Sequence, residues 1–190
     1  MQTIRTFVAV EVDRIVRRRA GELVERLAQL TDDVRWVEPQ NMHFTIKFLG
    51  NVRARDTVDV CEAVESAVID LRPFELVVEG LGAFPALERP RTIWIGTSTG
   101  SEALGEVFQR VDDAVVELGY RPEPRRFTAH MTIGRVRRRT ARLDRLADEL
   151  AELKDTAFGS TGVDSVTVFS SRLKEDGPVY TAMSRCELAG

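Results

Sequence analysis

The chain has 190 residues, 43% of them hydrophobic and 30% charged, enough for one compact domain or for two small lobes sharing a core. Its 27 basic and 30 acidic residues leave a formal net charge of −3, which excludes a strongly basic nucleic-acid coat protein but not a local basic cleft. Cys61 and Cys186 form no CxxC pair, the start has no apolar stretch ahead of a small-residue cleavage site, and no long apolar run occurs, so the expectation is a reduced, cytoplasmic setting without secretion or a membrane span.

A strand is predicted at 3–11, followed by an amphipathic helix over 14–30 with Val16, Ala20, Leu23, Val24 and Leu27 on one face. A second strand at 42–49 leads into a helix over 56–71, whose apolar face carries Val60, Cys61, Val64 and Val68. Strands at 74–79 and 92–96 come next, with Gly80–Pro90 between them read as a loop. A third helix over 102–118 presents Leu104, Val107, Phe108, Val111 and Val115, and Gly119–Pro124 reads as a loop. A strand at 128–134, a helix over 141–153 with Leu143, Leu146, Ala147 and Leu150, and strands at 163–169 and 179–185 complete the chain.

The order of elements repeats. Helix, histidine-bearing strand, helix and two strands fill about 14–97 and again about 102–185, within what reads as a single domain over 1–190. The expected fold class is α+β: a duplicated, bilobal fold in which two similar lobes of antiparallel or mixed sheet, with helices outside, face each other across a central cleft.

The only two histidines open the same tetrapeptide pattern, His43-Phe44-Thr45-Ile46 and His130-Met131-Thr132-Ile133, 87 positions apart. Side chains at i and i+2 of a strand share a face, so each lobe offers an imidazole and a hydroxyl to the cleft while Phe44, Ile46, Met131 and Ile133 turn to the core. Displacement at phosphorus is in-line and needs a proton acceptor and a proton donor on opposite sides, roles that two imidazoles can divide near neutral pH. The hydroxyls of Thr45 and Thr132 can donate to non-bridging oxygens as charge builds on them. No HExxH, carboxylate cluster or Cys/His quartet is evident, so neither a metal nor another cofactor is expected.

The sequence resembles the 2H phosphoesterases, and within them the bacterial and archaeal RNA 2′,3′-cyclic phosphodiesterase branch, also described as 2′-5′ RNA ligase. The matching residues are Arg5-Thr6-Phe7-Val8-Ala9-Val10, then Trp36-Val37 leading into Asn41-Met42-His43-Phe44-Thr45-Ile46-Lys47-Phe48-Leu49-Gly50. Gly82-Ala83-Phe84-Pro85, Arg89-Pro90-Arg91 and His130-Met131-Thr132-Ile133-Gly134-Arg135 extend the likeness over nearly the whole chain. The resemblance implies a bilobal fold, metal-free hydrolysis of a terminal 2′,3′-cyclic phosphate to a 2′-phosphomonoester, His43 as proton donor and His130 as proton acceptor.

The remaining candidates carry two readings each. Arg135 resembles the family's phosphate-side arginine, but strict alternation puts it opposite His130 unless the strand ends or bends near Gly134. Phe7 can stack on a terminal base or pack in the core; Trp36 and Trp94 can line the cleft or pack; Arg125 and Arg126 can meet RNA phosphates or sit at the surface. The tract Arg137-Arg138-Arg139 reads as a solvated approach to a helix. RNA ends or cyclic nucleotides are the expected substrates of a monomer that needs no membrane. The competing readings are a cyclic phosphodiesterase of nucleotide metabolites, a 2′-5′ RNA ligase, and an RNA-end binding module without turnover.

Overall fold

Residues 2–175 and 177–190 are described by the structure, a computed structural model of the chain. Nine strands are described, β1 (Thr3–Glu11), β2 (Val34–Trp36), β3 (His43–Arg53), β4 (Phe74–Phe84), β5 (Thr92–Thr99), β6 (Met131–Val136), β7 (Ala157–Val163), β8 (Ser165–Lys174) and β9 (Gly177–Glu187). The helices are α1 (Arg14–Ala28), α2 (Thr57–Val68), α3 (Ser101–Glu117) and α4 (Arg142–Glu152). Every helix predicted from apolar periodicity is present, and its stripe is the buried one: Val16, Ala20 and Leu27 of α1, Val60, Val64 and Val68 of α2, Leu104, Val111 and Val115 of α3, Leu146 and Leu150 of α4. Cys61 of α2 and Ala147 of α4 are the exceptions, each only partly buried.

All strand pairs are antiparallel, in the order β7-β4-β5-β6-β3-β1-β8-β9, with β2 beside β6. The order is symmetrical about the β6–β3 junction. That junction is slight, a single opposed pair, Phe44 and Met131, so the sheet divides there into two halves. One half, β3-β1-β8-β9, is backed by α2 and α3; the other, β6-β5-β4-β7, by α1 and α4. These lobes are not the two halves of the chain. β4, β5 and α1 come from the first repeat yet join the lobe of His130, and α3 from the second backs β3. β5 flanks β6 as β1 flanks β3, with Phe7 of β1 and Trp94 of β5 also 87 positions apart.

Two strands escaped prediction. β2 has three residues, too few for a period, and β7 carries Gly159, Ser160, Thr161 and Gly162, a composition that reads as a turn. The expected loop Gly80–Pro90 is half strand: β4 passes through a register shift after Val78 and continues to Phe84. Gly82 makes that possible, because a Cβ there would stand 2.2 Å from the Trp94 ring. The strand expected at 128–134 begins at Met131, leaving His130 at the end of the preceding loop.

Candidate active site

The alternation expected of the two motifs holds at their first four positions. Phe44, Ile46, Met131 and Ile133 are buried, and His43, Thr45, His130 and Thr132 are half-buried on the opposite face. Because the strands meet at Phe44 and Met131, these four polar residues flank the contact on the cleft side. The antiparallel direction sets His43 towards Thr132 and Thr45 towards His130.

Both imidazoles are held the same way. His43 Nδ1 donates to the Asn41 carbonyl at 2.8 Å, and His130 Nδ1 to the Thr128 carbonyl at 2.7 Å. A carbonyl oxygen can only accept, so each Nδ1 carries a hydrogen and each Nε2 is left as the titrating atom. His43 Nε2 lies 3.0 Å from Thr45 Oγ1, which in the neutral ring donates to it. Thr45 is therefore engaged with its own histidine; protonation of Nε2 reverses that bond and releases the hydroxyl hydrogen. Asn41 is itself anchored, its side-chain amide donating to the Pro178 carbonyl at 3.0 Å.

Aromatic rings surround each histidine. Phe7 stacks on His43 with centroids 5.0 Å apart, and Tyr180 meets it edge-on at 5.5 Å. Phe84 meets His130 edge-on at 5.0 Å, with Trp94 at 6.3 Å. Burial pushes His43 down to about 4, against the raising effect of its bond to Asn41. His130 is lowered for the same leading reason, its bond to Thr128 acting upward and the Arg135 charge downward. Both shifts favour the uncharged ring in the free site.

Beyond the fourth motif position the strict alternation fails, at equivalent places in both strands. Val8 and Ala9 of β1 face Lys47 and Thr45, skipping Ile46; Ile93 and Trp94 of β5 face Gly134 and Thr132, skipping Ile133. Each isoleucine is the extra residue of a β-bulge, which inverts the facing of the residues after it. Lys47 turns to the helices and is buried, while Phe48 turns outward, 60% exposed. On β6 the inversion swings Arg135 to the cleft side, the condition that strict alternation denied it. Phe48 and Arg135 thus occupy corresponding positions, 87 residues apart.

Both line a cavity of about 920 Å³, together with Arg5, Arg35, Arg137, Trp36, Asn41 and Tyr180. The histidines do not line it; they adjoin it through Phe7, Tyr180 and Arg135. Phe7, offered above as a base platform, reaches that cavity but is 2% exposed, packed against His43, Phe48, Phe169 and Tyr180. It supports the imidazole, and Phe48 is the ring with surface to offer. Trp36 lines the cavity, Trp94 packs beside His130, and Arg125 pairs with Glu123. Of the arginine tract, Arg138 pairs with Asp33 and Arg139 reaches the Glu88 carbonyl, but Arg137 faces the cavity. Tyr180 and Arg35 gave no sequence signal, since each is set by strand pairing alone. Among the described residues no three His, Cys, Asp or Glu side chains form a group able to hold a metal ion, and no helix is long and apolar enough to cross a membrane.

The chain matches the family model of LigT-like phosphoesterases twice, over residues 10–94 and 95–180. It is 33% identical to the RNA 2′,3′-cyclic phosphodiesterase of Methanothermobacter thermautotrophicus over 95% of this chain and 96% of that one. It is 30% identical to the enzyme of the same name from Aquifex aeolicus over the full length of both. Among solved structures, TT0787 of Thermus thermophilus superposes with a TM-score of 0.82 at 23% identity, covering 98% of this chain and 99% of that one. E. coli LigT complexed with 3′-AMP superposes with a TM-score of 0.77 at 20% identity over the whole of both chains, so the fold is shared. With two matches that together span most of its length, the chain belongs to the LigT-like phosphoesterase family.

Proposed function

We propose that this protein is an RNA 2′,3′-cyclic phosphodiesterase that opens a terminal cyclic phosphate to a 2′-phosphomonoester. The observation that carries the reading is the matched presentation of two Nε2 atoms, each fixed by a carbonyl two residues earlier, on either side of one strand junction. The names of the full-length relatives agree with it.

In this reading His130 Nε2 takes the proton of an attacking water while the new P–O bond forms. His43 Nε2–H gives its proton to the 3′-oxygen as the P–O3′ bond breaks, leaving the phosphate on O2′. His43 must first be charged. A phosphodiester anion beside it supplies the missing stabilisation, and the same proton frees Thr45 to donate to a non-bridging oxygen, with Thr132 as its counterpart. Arg135 adds charge-assisted donors on the His130 side. Phe48, its counterpart on the other lobe, presents a face on which the terminal base stacks. A cation at one corresponding position and an aromatic ring at the other break the near-symmetry of the motifs, and so seat the ribose one way round.

The test is a panel of cyclic-phosphate substrates with the products identified by phosphorus NMR. The expected result is turnover of a 2′,3′-cyclic nucleotide end to the 2′-phosphate. A 3′-phosphate as main product reverses the roles of the histidines; absence of turnover sinks the reading.

A further inference from the structure

The cavity beside the histidines is larger than the chemistry needs. At about 920 Å³ it stands near the top of the roughly 300–1,000 Å³ range of small-molecule sites. Neither histidine lines it, although Arg135 and Phe48, assigned above to the terminal nucleotide, do, so it continues from the reaction site rather than enclosing it.

Its charge is also out of keeping with the molecule. Four arginines, Arg5, Arg35, Arg135 and Arg137, line the cavity in a chain of net charge −3, against the carboxylates of Glu38 and Glu175. Among the described residues none of the four makes an ion pair. The fold holds three of them in place. Arg35 lies directly opposite Arg135 in the β2–β6 pair, so their side chains share a face and add their fields. Gly134 permits this, since a Cβ there would come within 2.8 Å of the Trp36 ring. Arg137 is fixed from its backbone, its N–H donating to the carbonyl of buried Asp33 at 2.7 Å. The Asp33 carboxylate meanwhile accepts from Arg138 at 3.0 Å and from Thr140, neutralising the neighbouring arginine but not Arg137.

Like charges held side by side, with no ion-pair partner among the described residues, lack mutual support, and a polyanion satisfies them. A cyclic phosphate closes the 3′ end of a strand, so every remaining phosphate lies on the 5′ side of the terminal ribose. We infer that this cavity holds the RNA strand behind its cyclic end, with Arg35 and Arg137 gripping the phosphates 5′ of the terminal nucleotide. The inference rests on the function proposed above and adds a substrate preference to it: the enzyme acts on oligonucleotides in preference to cyclic mononucleotides.

The experiment measures kcat/KM for a cyclic mononucleotide and for a short oligoribonucleotide with the same cyclic end, in the parent and in Arg35→Gln, Arg137→Gln and the double variant. Both positions are exposed, so the fold should tolerate the changes, and thermal melting checks it. The parent should prefer the oligonucleotide by about tenfold or more, the scale of one charge-assisted hydrogen bond. The double variant should lose most of that preference. Binding of a fluorescent oligoribonucleotide ending in a phosphate is followed in parallel against salt. The slope of log K on log salt should fall by roughly 0.7 for each phosphate that a variant no longer neutralises. A parent that treats both substrates alike, or a double variant whose preference and salt slope equal the parent's, overturns the inference. If neither substrate turns over, the cyclic phosphodiesterase reading is what has failed, and the salt slopes still decide the cavity.

Discussion

Each imidazole is oriented by a carbonyl two residues earlier, and this residue-scale device sets which nitrogen titrates. Burial holds His43 down to about 4. NMR titration of the free protein should find it neutral down to about that value, and bound inorganic phosphate should raise it. The basic limb of kcat should consequently lie at higher pH than that of kcat/KM, since only the former reports the complex. A His43 that titrates near 6.5 in the free protein, unmoved by phosphate, would contradict this. Stability depends on pH through the same group. Between about 6.5 and 4 the unfolded chain binds a proton at His43 that the folded chain refuses, so stability falls as pH falls through that window. The threonines make a finer test. Thr45→Ala and Thr132→Ala should each lower kcat by up to about 10²-fold, whereas Thr→Ser keeps the hydroxyl and should be mild. Equal damage from serine and alanine would assign the role to the methyl group instead.

At the scale of elements, what the sequence reveals depends on how many residues report one fact. α1 declares itself through five apolar positions at helical spacing, and the histidine strands through alternation over four. β2 has three residues, and Arg35 owes its place to pairing rather than to any pattern. The bulges were invisible for a subtler reason: Ile46 and Ile133 suit a buried face whether or not the ladder skips them, so the inverted facing of Phe48 and Arg135 cannot be read from residue types. Lys47 shows the same inversion from the inside. It is 4% exposed, ion-paired with Asp112 of α3, and donates to the Arg121 carbonyl at 2.8 Å. Asp112 also accepts from the Glu123 backbone N–H at 3.3 Å. This network ties the strand of His43 to the loop that leads into His130. Lys47→Met alone strands a buried carboxylate and should cost about 3–5 kcal/mol, while Lys47→Met with Asp112→Leu should recover much of it. Urea denaturation midpoints measure both, and equal stability of the single and double variants would remove the pair from any structural role.

Across the whole molecule, duplication and interleaving work together. Each repeat sends elements to both lobes, so the lobes are bound by covalent crossings although their sheets touch at one residue pair. The duplicated motifs made the α+β bilobal architecture and the four polar residues of the junction legible. The basic cavity was not, because its arginines come from β1, β2 and β6 and from the residue just past β6, and are averaged away in a net charge of −3. In the proposed reaction two histidines alone carry the proton transfers of cyclic-phosphate opening. The most direct test is turnover of a cyclic-phosphate-ended oligoribonucleotide in excess EDTA by the parent, His43→Ala, His130→Ala and the double variant. The parent should keep its full rate. Each single variant should lose roughly 10²–10⁴ in kcat, and the double variant little more than the worse single. Activity abolished by EDTA and restored by a divalent metal, or a double variant turning over near the parent rate, would contradict a two-histidine mechanism.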